Sequence, residues 1–213
     1  MRNSLRRNLL VLATTGLALP MCMGCGGGSS AASSSAPARS LVYTNPPTTG
    51  WALVKDASST TNRLVLNVVG PAGLKTRGVG FNIQAPQGLV FDTFANGLPI
   101  NDTGVYELQS ATPNPGDPVA LTGALKPGNL LTVGIYQKRL EKTSKDSSQA
   151  LCQIALKLDP AAKVMSGQTF RLTVPKAKVI SDDIGAATDS LFVLSQKLRM
   201  KAISLTVGTV TAN

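Results

Sequence analysis

Arg77-Gly-Val-Gly-Phe-Asn-Ile-Gln84, followed one residue later by Pro86-Gln-Gly-Leu-Val-Phe91, decides the fold. Val79, Phe81 and Ile83 share one phase, and Gly80, Asn82 and Gln84 share the other. Apolar residues at every second position mark a strand with one buried face. Ala85-Pro86-Gln87-Gly88 then turns the chain. The same alternation recurs outward in both directions: Leu64, Leu66 and Val68; Leu131, Val133 and Ile135; Phe170, Leu172 and Val174. Near the end, Leu198, Met200 and Ala202 share a phase that shifts to Ile203, Leu205 and Val207, as a β-bulge would produce.

Turn signals separate these runs: Gly70-Pro71, Asn96-Gly97, Pro113-Asn-Pro-Gly116, Pro127-Gly128 and Ser166-Gly167. Thirteen prolines and twenty glycines, mostly at such boundaries, leave little room for long helices. The best helical stretch is 186–196, with Asp189 or Ser190 as its N-cap. The expected fold is all-β: an antiparallel β-sandwich of about nine to eleven strands, with a closed barrel as the rival architecture. No internal repeat of fixed period is present.

The N-terminus carries an address. Arg2, Arg6 and Arg7 precede an uncharged apolar run from 9 to 20. That is signal-peptide length, well short of the roughly 20 apolar residues that span a bilayer. Leu19-Pro-Met-Cys-Met-Gly-Cys25 then resembles the bacterial lipoprotein box, in which a small residue precedes a cysteine that receives diacylglycerol. Gly24-Cys25 supplies that pair. Cys22 stands where the pattern wants leucine, and it is the second candidate behind a poorly suited Met21. The resemblance implies residues 1–24 as a signal peptide and lipidation at Cys25. An ordinary secretory signal cut near Ala31 or Ala32 is the alternative. The Gly- and Ser-rich 25–40 stretch reads as a flexible tether, and 41–213 as the domain. Arg6-Arg7-Asn8-Leu9-Leu10 also resembles a twin-arginine signal, with Leu5 where Ser or Thr is expected. The expected location is the cell envelope, and the outer membrane if the host is Gram-negative, because Gly26 replaces the aspartate of inner-membrane retention.

The whole chain carries 21 basic and 11 acidic residues. Removing the signal leaves 18 basic residues against the same 11 acidic ones, about +7. A basic envelope protein favours anionic surfaces, such as phosphorylated glycolipid or acidic polysaccharide. Nucleic acid is disfavoured by the export signal. Lys176/Lys178 and Lys197/Arg199/Lys201 alternate as on the solvated face of a strand. Cys152 is the lone cysteine of the domain, in phase with Ile154, Leu156 and Leu158, and reads as a small buried hydrophobe.

The strand order resembles the cohesin-type β-sandwich. The 77–91 stretch, with its Gly-x-x-Phe-like run and its extended Pro-x-x-Leu-x-Phe segment, carries the resemblance. Leu131-Thr-Val-Gly-Ile-Tyr136, the 151–158 strand and the long 167–185 run ending in Asp-x-x-Gly extend it. It covers about 60–185 and implies a non-catalytic module that binds a protein or a glycan. No partner-contact motif of that family is recognisable, so neither binding residues nor a dockerin partner are carried over.

Enzyme chemistry lacks its parts. The chain has no histidine, which removes Ser-His-Asp and Cys-His machinery and the usual base near neutral pH. Glu107 and Glu141 are the only glutamates, and no spacing pairs two carboxylates across a bond. No cofactor is expected. Calcium has weak candidates in Asp182, Asp183 and Asp189, hard oxygen ligands without the spacing of a calcium loop. Trp51, Tyr43 and Tyr136 are the candidates for stacking on a glycan. The expected partners are the membrane, through the lipid anchor, and an envelope protein or polysaccharide. A structural envelope protein with no dedicated ligand is the third reading.

Overall fold

The structure is a computed structural model that describes residues 36–47, 49–108, 121–137, 144–181 and 200–213. The described residues form fourteen strands and no helix: β1 (Leu41–Thr44), β2 (Ala52–Lys55), β3 (Leu64–Val69), β4 (Lys75–Gln84), β5 (Leu89–Asp92), β6 (Ile100–Asp102), β7 (Leu121–Lys126), β8 (Leu130–Tyr136), β9 (Lys145–Asp146), β10 (Cys152–Leu158), β11 (Thr169–Arg171), β12 (Thr173–Ser181), β13 (Met200–Ala202) and β14 (Thr209–Ala212). The all-β antiparallel expectation is met. The strand count exceeds nine to eleven because two- and three-residue pieces such as β6, β9, β11 and β13 are too short to show a period.

Three sheets enclose one core. A five-stranded sheet runs β2-β3-β10-β5, with β6 also on β10. A six-stranded sheet runs β13-β12-β4-β8-β7, with β9 on β4. A small sheet runs β1-β14-β11. Every strand pair in them is antiparallel. Directly opposed residues share a face, so register decides what the core receives. Phe81 faces Val133 and Ala177, and Val79 faces Ile135 and Val179; all six are buried. From the other sheet, Ile154 faces Leu66 and Ile100, and Leu156 faces Leu64 and Phe91. These two inner layers form one apolar cluster. Cys152 is a fully buried free thiol in that cluster, its pKa pushed up to about 12 mainly by burial.

Two expectations need correction. The phase shift after Ala202 is a change of sheet, where a bulge was expected. Ile203 N–H still donates to Ala177 of the six-stranded sheet, whereas Thr206 exchanges backbone hydrogen bonds with Trp51 and Leu53 beside the five-stranded one. A register break does occur in β12, between Thr173 and Lys176, where Pro175 offers no N–H to the ladder. Residues 36–40, read above as part of a flexible stretch, are hydrogen-bonded to the rest of the domain. Ala36 accepts from Ser166 N–H, Ala38 N–H donates to Val164, and Arg39 and Ser40 N–H both donate to Asn213. Pro37 bridges to Met165. Residues 36–40 therefore belong to the domain's hydrogen-bond network.

Candidate functional site

The outward residues of the six-stranded sheet follow from its register. One row across it reads Met200, Ile180, Gly78, Tyr136. The next reads Ala202, Lys178, Gly80, Gly134, Thr122, and a third reads Lys176, Asn82, Thr132, Ala124. Gly80 and Gly134 sit directly opposite each other, so two neighbouring positions in the middle of the face have no side chain. A Cβ built on Gly134 would meet nothing within 4 Å, and one on Gly80 only the Val133 carbonyl at 3.4 Å. Packing does not demand glycine at either position. Their effect is to open a shallow trough of about 400 Å³, with bare backbone as its floor and Tyr136, Ile180, Met200, Lys176 and Lys178 among its walls.

Gly78 differs. A Cβ there would lie 2.6 Å from the Tyr136 Cβ, so glycine is what lets Tyr136 lean across the neighbouring strand. Tyr136 is half-buried as a result, on the outer side of a strand whose Val133 and Ile135 point inward. None of these outward positions carries a carboxylate, and Lys176 and Lys178 have no ion-pair partner among the described residues. The face is positive, partly apolar and shallow.

The outer side of the five-stranded sheet is closed. Asn67 faces Gln153, and Gln153 faces Asn101, across adjacent strands. Asn67 Nδ2 donates to Asp56 at 2.6 Å, and Asn101 Nδ2 donates to Gln153 at 3.0 Å. One row away, Asp92 accepts from Arg63 Nε and Lys157 Nζ, each at 2.8 Å, while the Arg63 guanidinium lies 4.4 Å from the Phe94 ring centre. Ser59 Oγ donates to the Val65 carbonyl and accepts from its N–H, which folds the 56–63 loop back over the strand. Val65 and Ala155 are fully buried beneath this cover. The Lys157 and Arg63 hydrogen bonds hold Asp92 below the usual carboxylate range, and Ser58 followed by Asn67 does the same for Asp56.

The aromatic candidates separate. Tyr43 is buried, its hydroxyl donating to the Leu53 carbonyl at 2.9 Å and accepting from Gly208 N–H at 2.7 Å. Burial raises its pKa to about 12. Trp51 is buried too, its ring against Gly70. Neither presents a ring face to solvent, whereas Tyr136 is half-buried on the outer side of β8. Tyr43 lies within β1 and Trp51 directly precedes β2, and both rings belong to the apolar core. Tyr106 is buried as well. Cys22 and Cys25, the 186–196 helix, and Asp182, Asp183 and Asp189 lie outside the described residues. Among the described residues no three acids or cysteines come close enough to hold a metal ion.

Sequence reading alone missed Gly80, Gly134, Ile180 and Met200 as one surface. Their signal was the second phase of the strands, Gly78-x-Gly80-x-Asn82 and Lys176-x-Lys178-x-Ile180, which reads as mere solvent-facing alternation until register joins it.

No protein-family model matches the sequence, and no curated protein does. Solved cohesin modules are similar in outline. The sixth cohesin of scaffoldin B from Acetivibrio cellulolyticus, solved with a Cel5 dockerin, has 9% identity and a TM-score of 0.47, over 75% of this chain and 95% of that one. A non-cellulosomal cohesin of Archaeoglobus fulgidus has 10% identity and a TM-score of 0.43, over 76% and 88%. The seventh type I cohesin of scaffoldin ScaB from Pseudobacteroides cellulosolvens has 8% identity and a TM-score of 0.44, over 75% and 87%.

Proposed function

We propose that the chain is a non-catalytic binding module, anchored in the cell envelope by lipid on Cys25, that docks a protein partner on the open face of its six-stranded sheet. The observation that carries this reading is the paired Gly80 and Gly134 at the centre of a shallow face, walled by Tyr136, Ile180 and Met200 and free of carboxylates among the described residues. Five strands about 4.8 Å apart, from three residues long in β13 to ten in β4, give on the order of 500 Å² of open sheet, over half of one partner's share of a standard interface. A surface of that extent and shallowness suits another protein better than a small substrate, which takes a concave pocket. The lysines favour a partner with an acidic patch.

The absence of catalysis is supported by the lack of histidine and by where the acids go. Asp56, Asp92, Asp102, Asp146 and Asp159 each accept hydrogen bonds from nearby turns or cations, and no two converge in a cleft among the described residues. The test is site-specific photo-crosslinking in the native host with the full-length protein. A probe at Thr132 is expected to capture a discrete protein, whereas a probe at Thr93, on the closed side, captures none. Equal capture from both positions, or loss of capture from neither when Gly134→Glu is introduced, would overturn the open-face reading. Labelled fatty acid that fails to appear on Cys25 would overturn the anchor separately.

A further inference from the structure

We infer that the end of the domain where the chain joins at residues 36–38 rests against anionic phospholipid headgroups, so that the binding face stands upright on the membrane. The inference rests on the anchored reading above. Three neighbouring grooves define this end through the residues they share. The first, of about 680 Å³, is lined by Gln84, Lys126, Asp159 and Arg171 among others. The second is lined by Lys163 and Arg171, and the third by Pro37, Ala38 and Lys163.

Lys126, Lys163 and Arg171 are exposed and have no ion-pair partner among the described residues. The local carboxylate, Asp159, accepts from Ala161 N–H at 2.9 Å and leaves the end with a positive balance. Ten residues separate Cys25 from Ala36, so the two lie at most about 40 Å apart when the chain between them is fully extended. A cation within a Debye length of an anionic leaflet, about 10 Å at moderate salt, shifts the local equilibrium by roughly fivefold. A tether of that reach lets all three cations come this near the lipid, where its charge draws them.

The consequence for the open face is geometric. Gln84 belongs to the basic end, and β4 runs from there through Asn82 and Gly80 to Gly78 and Lys75. At about 3.4 Å per residue, Gly78 and the Tyr136 opposite it stand roughly 20 Å farther along. A domain seated on its basic end therefore lifts the trough clear of the headgroups and leaves it open sideways.

The experiment uses the lipidated full-length protein on vesicles of phosphatidylcholine alone, or of phosphatidylcholine with phosphatidylglycerol. Amine acetylation rates are read residue by residue. Lys163 and Lys126 are expected to react several-fold more slowly on the anionic vesicles, while Lys75, at the far end of β4, is unchanged. High salt should erase the difference, and the Lys163→Glu/Arg171→Glu pair should erase it at Lys126. Protein that floats with both vesicles yet reacts equally on each overturns the orientation and leaves the anchor standing. Protein that floats with neither overturns the anchor, and the orientation with it.

Discussion

The two large sheets bury their inner faces alike and treat their outer faces in opposite ways. Outside the five-stranded sheet, Asn67 donates to Asp56 and Asn101 to Gln153, and the 56–63 loop folds back over Val65, which is fully buried, as is Ala155. Outside the six-stranded sheet, Gly80 faces Gly134, and Lys176 and Lys178 have no ion-pair partner among the described residues. A sheet that needs no visitor consumes its own polar groups. One that keeps them unspent, around a bare backbone floor, is the face on which the proposed partner would dock.

Breaking the closed face should cost the most. Ala155→Asp would bury a second carboxylate directly opposite Asp92, whose cations Arg63 and Lys157 are already engaged, and about 3–5 kcal/mol of stability should be lost. Chemical denaturation measures this, and a loss below about 1 kcal/mol would show that the cover is loose. Next, Gly78→Ala should cost about 1–3 kcal/mol, since the new methyl collides with the Tyr136 Cβ. It should also disturb partner capture, because Tyr136 must move.

Acid should distinguish the faces by charge. Asp92 has a folded pKa below its unfolded value, so its contribution to stability is fully present above the unfolded value and fades as pH falls through the folded one. The melting temperature should therefore drop below about pH 4, the unfolded range for aspartate. Asp92→Asn should lower stability at neutral pH by about 1 kcal/mol and flatten that acid limb. An unchanged acid limb would mean the Arg63–Asp92–Lys157 group contributes nothing. The smallest effect sharpens the contrast most. Gly134→Ala meets open space and should leave stability equal or raise it by about 0.5 kcal/mol, while weakening partner capture. Weaker capture with undiminished stability is the signature of a surface kept open for binding.

Much of the scaffold was legible in the sequence. Strands β4 and β8 show their period because one face is buried and the other is not, and that contrast is local. The division between closed and open outer faces was not legible. Asn67 and Gln153 meet across 86 residues of chain, and Gly80 and Gly134 across 54, so only register reveals either pairing. Tyr43 and Trp51 misled for a related reason. An aromatic in or beside a short strand looks the same whether its ring points to water or to the core, and the partners that decide, Leu53 and Gly208 for Tyr43 and Gly70 for Trp51, include one far along the chain. Cys152 was easier, since its neighbours in phase are all aliphatic.

The hydrogen bonds of residues 36–41 also bear on how the domain would carry a mechanical load. Tension arriving from the N-terminal side meets Ser166, Val164, Asn213 and Thr61 in succession, and then the four cross-strand pairs of β1 with β14. Pulled along its own axis, β1 would have those bonds sheared together, whereas a strand peeled sideways loses them one at a time. Force is thus divided among several separate segments before it reaches the core. A partner that tugs on the open face would strain the seam at the chain's entrance before it distorts the trough in which that partner sits.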